Sequence, residues 1–339
     1  MFHASKKKRY ENILIVRFSS LGDIVLTTPV LEALRANFPK ARLTYFLKED
    51  FASILENHTS RCEIITLPEQ VRKDSKAYLD FVDSLSKKRF DLIVDLQANG
   101  RSYVLRNRLN IPFLKVKKHT LRRISIVKFK VGASGLPNVR DRFLNTLKRI
   151  GISGSSNTTS LMVTEEELNQ VRSKFFKNND NKPIAVIHPG AKWDLKKWGG
   201  EKFARLAEML TDRGFTVASF EEVPYKNFIC LYGTTIREMM GCIASADVFI
   251  GNDSGPLHIA EALGIPSVGI FGPTHESLGY SSDWAGMKIV GLDIKCRPCS
   301  LYGNGRCKPQ NRECMDALSP DIVFDAVLGI FNWGRGNEK

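Results

Sequence analysis

The sequence is short of several things. No apolar run approaches the ~18–20 residues of a membrane-spanning helix. The first apolar segment, residues 13–16, is too short for the core of an export signal and is cut off by Arg17, so the chain is expected to be cytoplasmic. Seven cysteines, an odd number in a chain of 339 residues, argue against a disulfide framework. No Gly-x-Gly-x-x-Gly follows the first expected strand, which argues against a nicotinamide or flavin cofactor. There is no Walker lysine motif, no Asp-x-Asp pair at a strand end to hold a metal-bound sugar nucleotide, and no His-Glu-x-x-His. Chemistry with no metal and no resident cofactor is therefore expected.

Acidic residues are scarce in the first half. Residues 1–150 hold 30 Lys and Arg against 14 Asp and Glu, a balance of +16. Residues 151–339 hold 20 against 22, a balance of −2. The net +14 comes from the first half, which is expected to meet something anionic. The rest of the composition is ordinary for a globular protein: 43% apolar and 25% charged residues, at odds with general disorder. At roughly 100–200 residues per domain, the length predicts two domains, or one long one.

Both halves alternate short apolar runs with amphipathic stretches, the rhythm of a doubly wound α/β sheet. Strands are expected over residues 13–17, 43–47, 63–67 and 91–96, with helices after Pro29 and near 51–57 and 75–87. The small polar run 153–160 and the polar stretch 177–182 mark the crossing between domains. The second series predicts strands at 184–188, 215–220, 228–231, 248–250 and 267–271. Helices are expected at 200–213, 235–244, 255–263 and 320–331.

Four segments are candidates for chemistry. In Gly251-Asn252-Asp253-Ser254-Gly255 a strand runs straight into a helix, whose free N–H groups make an anion site suited to a diphosphate. The same residues also serve a simple helix cap. Ser19-Ser20-Leu21-Gly22-Asp23 follows the first strand, at the carboxyl end where α/β sheets bind ligands. Asp23 there is either a general base or a turn carboxylate. His188-Pro-Gly-Ala-Lys192-Trp-Asp-Leu-Lys196-Lys197-Trp198 brings lysines to another strand end, or forms a solvated loop over a packed Trp198. Cys296, Cys299, Cys307 and Cys314 lie within 19 residues. Their first pair has zinc-knuckle spacing and their second does not, so reduced loop thiols are the default.

Read together, the segments at residues 13–39, 95–102, 117–123, 188–198 and 252–274 resemble the lipopolysaccharide heptosyltransferase family, glycosyltransferase family 9. The resemblance implies a GT-B architecture, two facing Rossmann-like domains with parallel sheets. These would be an acceptor-binding domain at 1–160 and a nucleotide-sugar-binding domain at 183–319, with a helix at 320–339 crossing back to the first. It implies an inverting, metal-independent transfer of heptose from ADP-heptose to the inner core of lipopolysaccharide. Asp23 would be the catalytic base and Lys196 the cation on the leaving diphosphate. Lys192, Asp253, Ser254, Gly255, Leu257 and His258 would hold the donor. Ser20, Gly22, Arg101, Lys118, His119 and Arg122 would meet the anionic acceptor, with peripheral contact at the inner membrane surface and no nucleic acid as partner.

One departure stands out. Only residues 221–227 separate the strands expected at 215–220 and 228–231, where family members carry a turn and a helix. A crossover between parallel strands normally needs at least ~10–12 residues. The alternatives are a related enzyme using another nucleotide sugar for a surface glycan, or a non-catalytic member that binds anionic glycan.

Overall fold

The structure, a computed structural model, describes residues 9–131, 136–280, 282–307 and 310–336. In chain order the first half holds β1 (Asn12–Val16), α1 (Leu21–Val25), α2 (Thr28–Asn37), β2 (Arg42–Lys48), β3 (Glu63–Leu67), α3 (Glu69–Lys73), α4 (Ser75–Leu85), β4 (Leu92–Asp95), α5 (Gly100–Leu109), β5 (Phe113–Lys115), α6 (Thr120–Phe129) and α7 (Val139–Leu144). The second half holds α8 (Glu165–Phe175), β6 (Ile184–His188), α9 (Gly200–Asp212), β7 (Thr216–Ser219), β8 (Ile229–Cys230), α10 (Ile236–Ala244), β9 (Val248–Asn252), α11 (Gly255–Ala262), β10 (Ser267–Ile270), β11 (Met287–Val290), α12 (Glu313–Asp316) and α13 (Pro320–Gly336).

These elements form two compact units. One comprises Met1–Lys118 and Val139–Met162; the other comprises His119–Asn138 and Val163–Lys339. In the first, five parallel strands run in the order β3-β2-β1-β4-β5. In the second, six parallel strands run β11-β10-β9-β6-β7-β8, the Rossmann order. The central strands are continuous apolar runs because helices cover both faces. Ile13, Leu14, Ile15 and Val16 of β1 are fully buried, as are Ala185, Val186 and Ile187 of β6. Each sheet reverses its strand order between its first and fourth strands, β1 and β4 in one, β6 and β9 in the other. In open α/β sheets ligands bind outside the carboxyl ends of the strands at this switch point. All the strand-end segments singled out in the sequence lie at one or the other.

Several details differ from the expected pattern. His119–Asn138, containing α6, groups with the second unit and not with the first. The chain therefore passes between units three times, and the charge redistributes to +12 on the first unit and +2 on the second. The last helix, α13, packs on its own unit against α9, β9, β10 and β11; residues 337–339 of the expected 320–339 lie outside the described residues. β5 (Phe113–Lys115) and β11 (Met287–Val290) lie outside the expected strands; each is a short run that carries a lysine. The shortened crossover is present as expected: β7 and β8 are parallel neighbours joined by residues 220–228 without a helix.

Candidate active site

In the first unit the loop after β1 turns at once into α1. Ser20 is its N-cap, and Asp23 in the first turn reaches back to it. The Asp23 Oδ2 atom accepts from the Ser20 N–H at 3.2 Å and the Ser20 hydroxyl at 2.8 Å. The Arg17 guanidinium lies 2.7 Å from the same oxygen, both side chains being largely buried. Burial on its own would raise the Asp23 carboxyl; Arg17 and the Ser20 hydrogen bonds outweigh it and hold the group below its usual value. Asp23 thus fills the turn role and is also a buried, ionised carboxylate at the switch point.

Arg17 also donates to the Leu96 carbonyl at 2.8 Å, and Gln97 Oε1 accepts from the Phe18 N–H at 2.9 Å. The exits of β1 and β4 are tied together by these bonds. Asp95 is fully buried and structural: its Oδ1 accepts from the N–H groups of Gln97 and Ala98, and Arg106 Nε sits 3.0 Å from its Oδ2. Of the acceptor candidates, Ser20 is exposed and Gly22 buried in this loop. Arg101 is exposed on the first turn of α5 and donates to the Arg72 carbonyl at 2.9 Å. Lys118 is exposed at the end of the first unit's leading segment, while His119 and Arg122 belong to the second unit. The structure therefore groups Ser20, Gly22 and Asp23, and separates His119 and Arg122 from them by unit.

In the second unit three strand ends converge. Lys196 Nζ lies 2.6 Å from Asp253 Oδ2 and donates to the Asp253 carbonyl at 3.2 Å. Thr274 donates to the same Oδ2 at 2.6 Å. The lysine stem runs along Gly303, where a Cβ would fall 2.5 Å from Lys196 Cγ and where φ is +81°. Only glycine suits both conditions. Asn252, fully buried at the end of β9, pins the lysine loop to this turn. Its Oδ1 accepts from the Trp198 N–H at 3.1 Å and its amide donates to the Pro189 carbonyl at 2.6 Å. Trp198 is packed beneath the loop, with its indole donating to the Leu318 carbonyl at 3.0 Å.

The turn Asp253-Ser254 then opens α11 at Gly255, with Ser254 as N-cap and Pro256 in the first turn. Pro256 has no N–H, so Gly255 and Leu257 carry the donors there. The Leu257 side chain is fully buried against Gly269. The Ser254 hydroxyl is 3.4 Å from His188 Nδ1. Burial lowers His188 to about 4, so this ring is neutral at pH 7. Glu221, after β7, rests on the Gly190 backbone, where a Cβ would meet its carboxylate oxygen at 2.0 Å. Lys192 is exposed with its ammonium 5.4 Å from the Trp193 ring centre. His258 is buried beside Glu261, with 4.0 Å between its Nδ1 and Glu261 Oε2.

Arg17, His188, Asn252 and Thr274 take part in the site without belonging to any expected role in the sequence. Arg17 carried a signal, a charge closing an otherwise apolar strand; the partners of the others come from distant loops. The four clustered cysteines are free. Burial, together with the neighbouring thiols, raises Cys314 to about 11 and also raises Cys299, so both are protonated at neutral pH. Among the described residues no group of three or more His, Cys, Asp or Glu side chains is placed to hold a metal ion.

Comparison with known proteins gives a consistent picture. Residues 78–304 match the family model of glycosyltransferase family 9 (heptosyltransferase). The chain is 26% identical to lipopolysaccharide heptosyltransferase 3 of Escherichia coli over 276 residues, spanning 75% of this chain and 81% of that protein. It is similar in structure to the family 9 glycosyl transferase of Veillonella parvula, with a TM-score of 0.76 at 18% identity over 96% of this chain and 99% of that one. It is also similar to E. coli heptosyltransferase WaaC with ADP-2-deoxy-2-fluoro heptose, with a TM-score of 0.65 at 18% identity over 94% and 99% of the two chains.

Proposed function

Since this chain belongs to glycosyltransferase family 9, the heptosyltransferase family, we propose that it transfers heptose from ADP-heptose to the inner core of lipopolysaccharide, without a metal and with inversion. The observation that carries this reading is the Lys196–Asp253–Thr274 cluster beside the start of α11. A cation and free backbone N–H groups at the carboxyl ends of β6 and β9 suit a diphosphate. The curated relative that acts on lipopolysaccharide and the WaaC structure holding an ADP-heptose analogue support the choice of sugar and nucleotide.

The chemistry follows from the residues. Asp23, ionised at neutral pH, takes the proton of the acceptor hydroxyl as its oxygen attacks the anomeric carbon. Its Oδ2 is engaged by Arg17 and Ser20, so Oδ1 is the oxygen that receives the proton. The bond to the leaving diphosphate breaks on the opposite face, which inverts the centre. Lys196, released from Asp253 by the incoming phosphates, and the N–H groups of Gly255 and Leu257 stabilise the charge that develops on ADP. Lys192, Ser254 and His258 complete the donor side. Arg101 and Lys118, in the same unit as Asp23, meet the carboxylates and phosphates of the acceptor at the inner membrane surface.

ADP release from ADP-heptose with a heptose-deficient lipopolysaccharide acceptor tests this reading. Asp23→Asn is expected to lower kcat by ~10²–10⁴-fold. No ADP release by the wild type, or full activity in the variant, overturns it. A second reading, a different nucleotide sugar, is favoured by the missing helix between β7 and β8. A thermal-shift screen across nucleotide sugars separates the two: the larger shift identifies the donor.

A further inference from the structure

Helix α6 comes from the first half of the sequence but packs with the second unit. Two cations hold its inner side. Arg123, 6% exposed, places its guanidinium over the rings of Tyr280 and Tyr302, 5.6 and 5.3 Å from their centres. Lys130, just past the helix, donates to the carbonyls of Val127 at 3.0 Å, Cys296 at 2.8 Å, and Pro298. With Ile126 buried on the same side, the opposite side is left outward.

That outward side is unusual. At about 100° per residue, Leu121, Ser125, Lys128 and Phe129 fall within a stripe about 100° wide. Leu121 is 83% exposed and Phe129 69%, and Val131 immediately after the helix is 58% exposed. Large apolar residues on a helix normally face the core. Here an arginine shares the inner side with Ile126, and Leu121 and Phe129 face out. Within the segment that joins the second unit, residues 119–138, the sequence holds four Lys and Arg and no Asp or Glu. Two exposed apolar residues beside a lysine on one side of a short helix give that side the chemistry of a membrane-interface contact. Among the described residues no helix is long and apolar enough to cross a membrane, so contact is at the surface.

We propose that α6 and Val131 form a docking surface for an anionic lipid bilayer. Leu121, Phe129 and Val131 enter the headgroup boundary, and Lys128, on the same side of the helix, meets lipid phosphates. Charge complementarity decides the occupant. A second copy would bring an equally acid-free segment to the same face, and like charges would oppose. The proposal rests on the reading that the acceptor is lipid-linked, and it places the membrane contact on one helix.

The test uses the full chain and vesicles with or without phosphatidylglycerol in phosphatidylcholine. Wild type is expected to co-sediment with the anionic vesicles and not with the neutral ones. The double variant Leu121→Gln, Phe129→Gln, both positions exposed and outside the catalytic machinery, is expected to partition at least about tenfold less. Transfer to a soluble, lipid-free acceptor fragment is expected to stay unchanged in the variant. Equal partitioning of variant and wild type, or no preference for anionic vesicles, overturns the proposal. So does a fall in oligomer size in the variant by light scattering, which assigns the face to a second copy. Vesicle binding without any heptose transfer removes the functional reading and leaves the docking surface standing.

Discussion

At Asp23, burial and neighbouring charge pull in opposite directions, and Arg17 decides the outcome. A carboxyl held below its usual value is ionised over the whole physiological range but is a weaker base for it. Removing Arg17 leaves burial as the larger influence, so Arg17→Gln is expected to raise the Asp23 pKa. The acid limb of the kcat/KM profile then moves to higher pH; a limb that does not move assigns the proton transfer to another group. The same pair gives the sign for stability. A depressed carboxylate stabilises the fold above its unfolded value, and that contribution is lost as pH falls through the folded one. The candidacy of Asp23 was legible from its place after the first strand. Its ion pair was not, because nothing in a sequence of apolar residues ending in Arg says where the guanidinium turns.

At the scale of elements, the loops at the carboxyl ends of β6 and β9 behave as one piece because Asn252 joins them. Asn252→Ala removes the partner of the Trp198 N–H and releases the Pro189 carbonyl in a buried setting. The expected cost is about 2–4 kcal/mol, seen as a lower urea midpoint at unchanged m. ADP affinity is expected to fall with it, since Lys196 rides on the same loop. An unchanged midpoint would show that the pin is dispensable. Strands such as β1 and β6 were readable as unbroken apolar runs. The crossover without a helix was readable from spacing alone. The Lys196–Asp253 pair was not, because it joins segments 57 residues apart with no shared pattern.

Across the whole molecule, the uneven charge survives the change of boundaries, at +12 on one unit and +2 on the other. Raising salt from about 0.1 M to 1 M shortens the Debye length from ~10 Å to ~3 Å. The KM for an anionic acceptor is expected to rise several-fold over that range. The KM for the nucleotide sugar is expected to change less, because the proposed diphosphate site is built of partly buried groups that salt screens poorly. Equal changes in both would mean that the basic unit has no special part in acceptor capture. Two domains of alternating strand and helix were legible in the length and rhythm. The destination of α6 was not: its anchors, Tyr280 and Tyr302, lie more than 150 residues downstream. That separation has a consequence for the protein's birth. At a translation rate of roughly 5–20 residues per second, α6 leaves the ribosome on the order of ten to thirty seconds before its seat exists. A ten-residue helix is marginal alone in water. The segment must therefore wait without its seat while the first sheet, whose five strands all precede it, assembles, and it takes its place only when the last third of the polypeptide has been made.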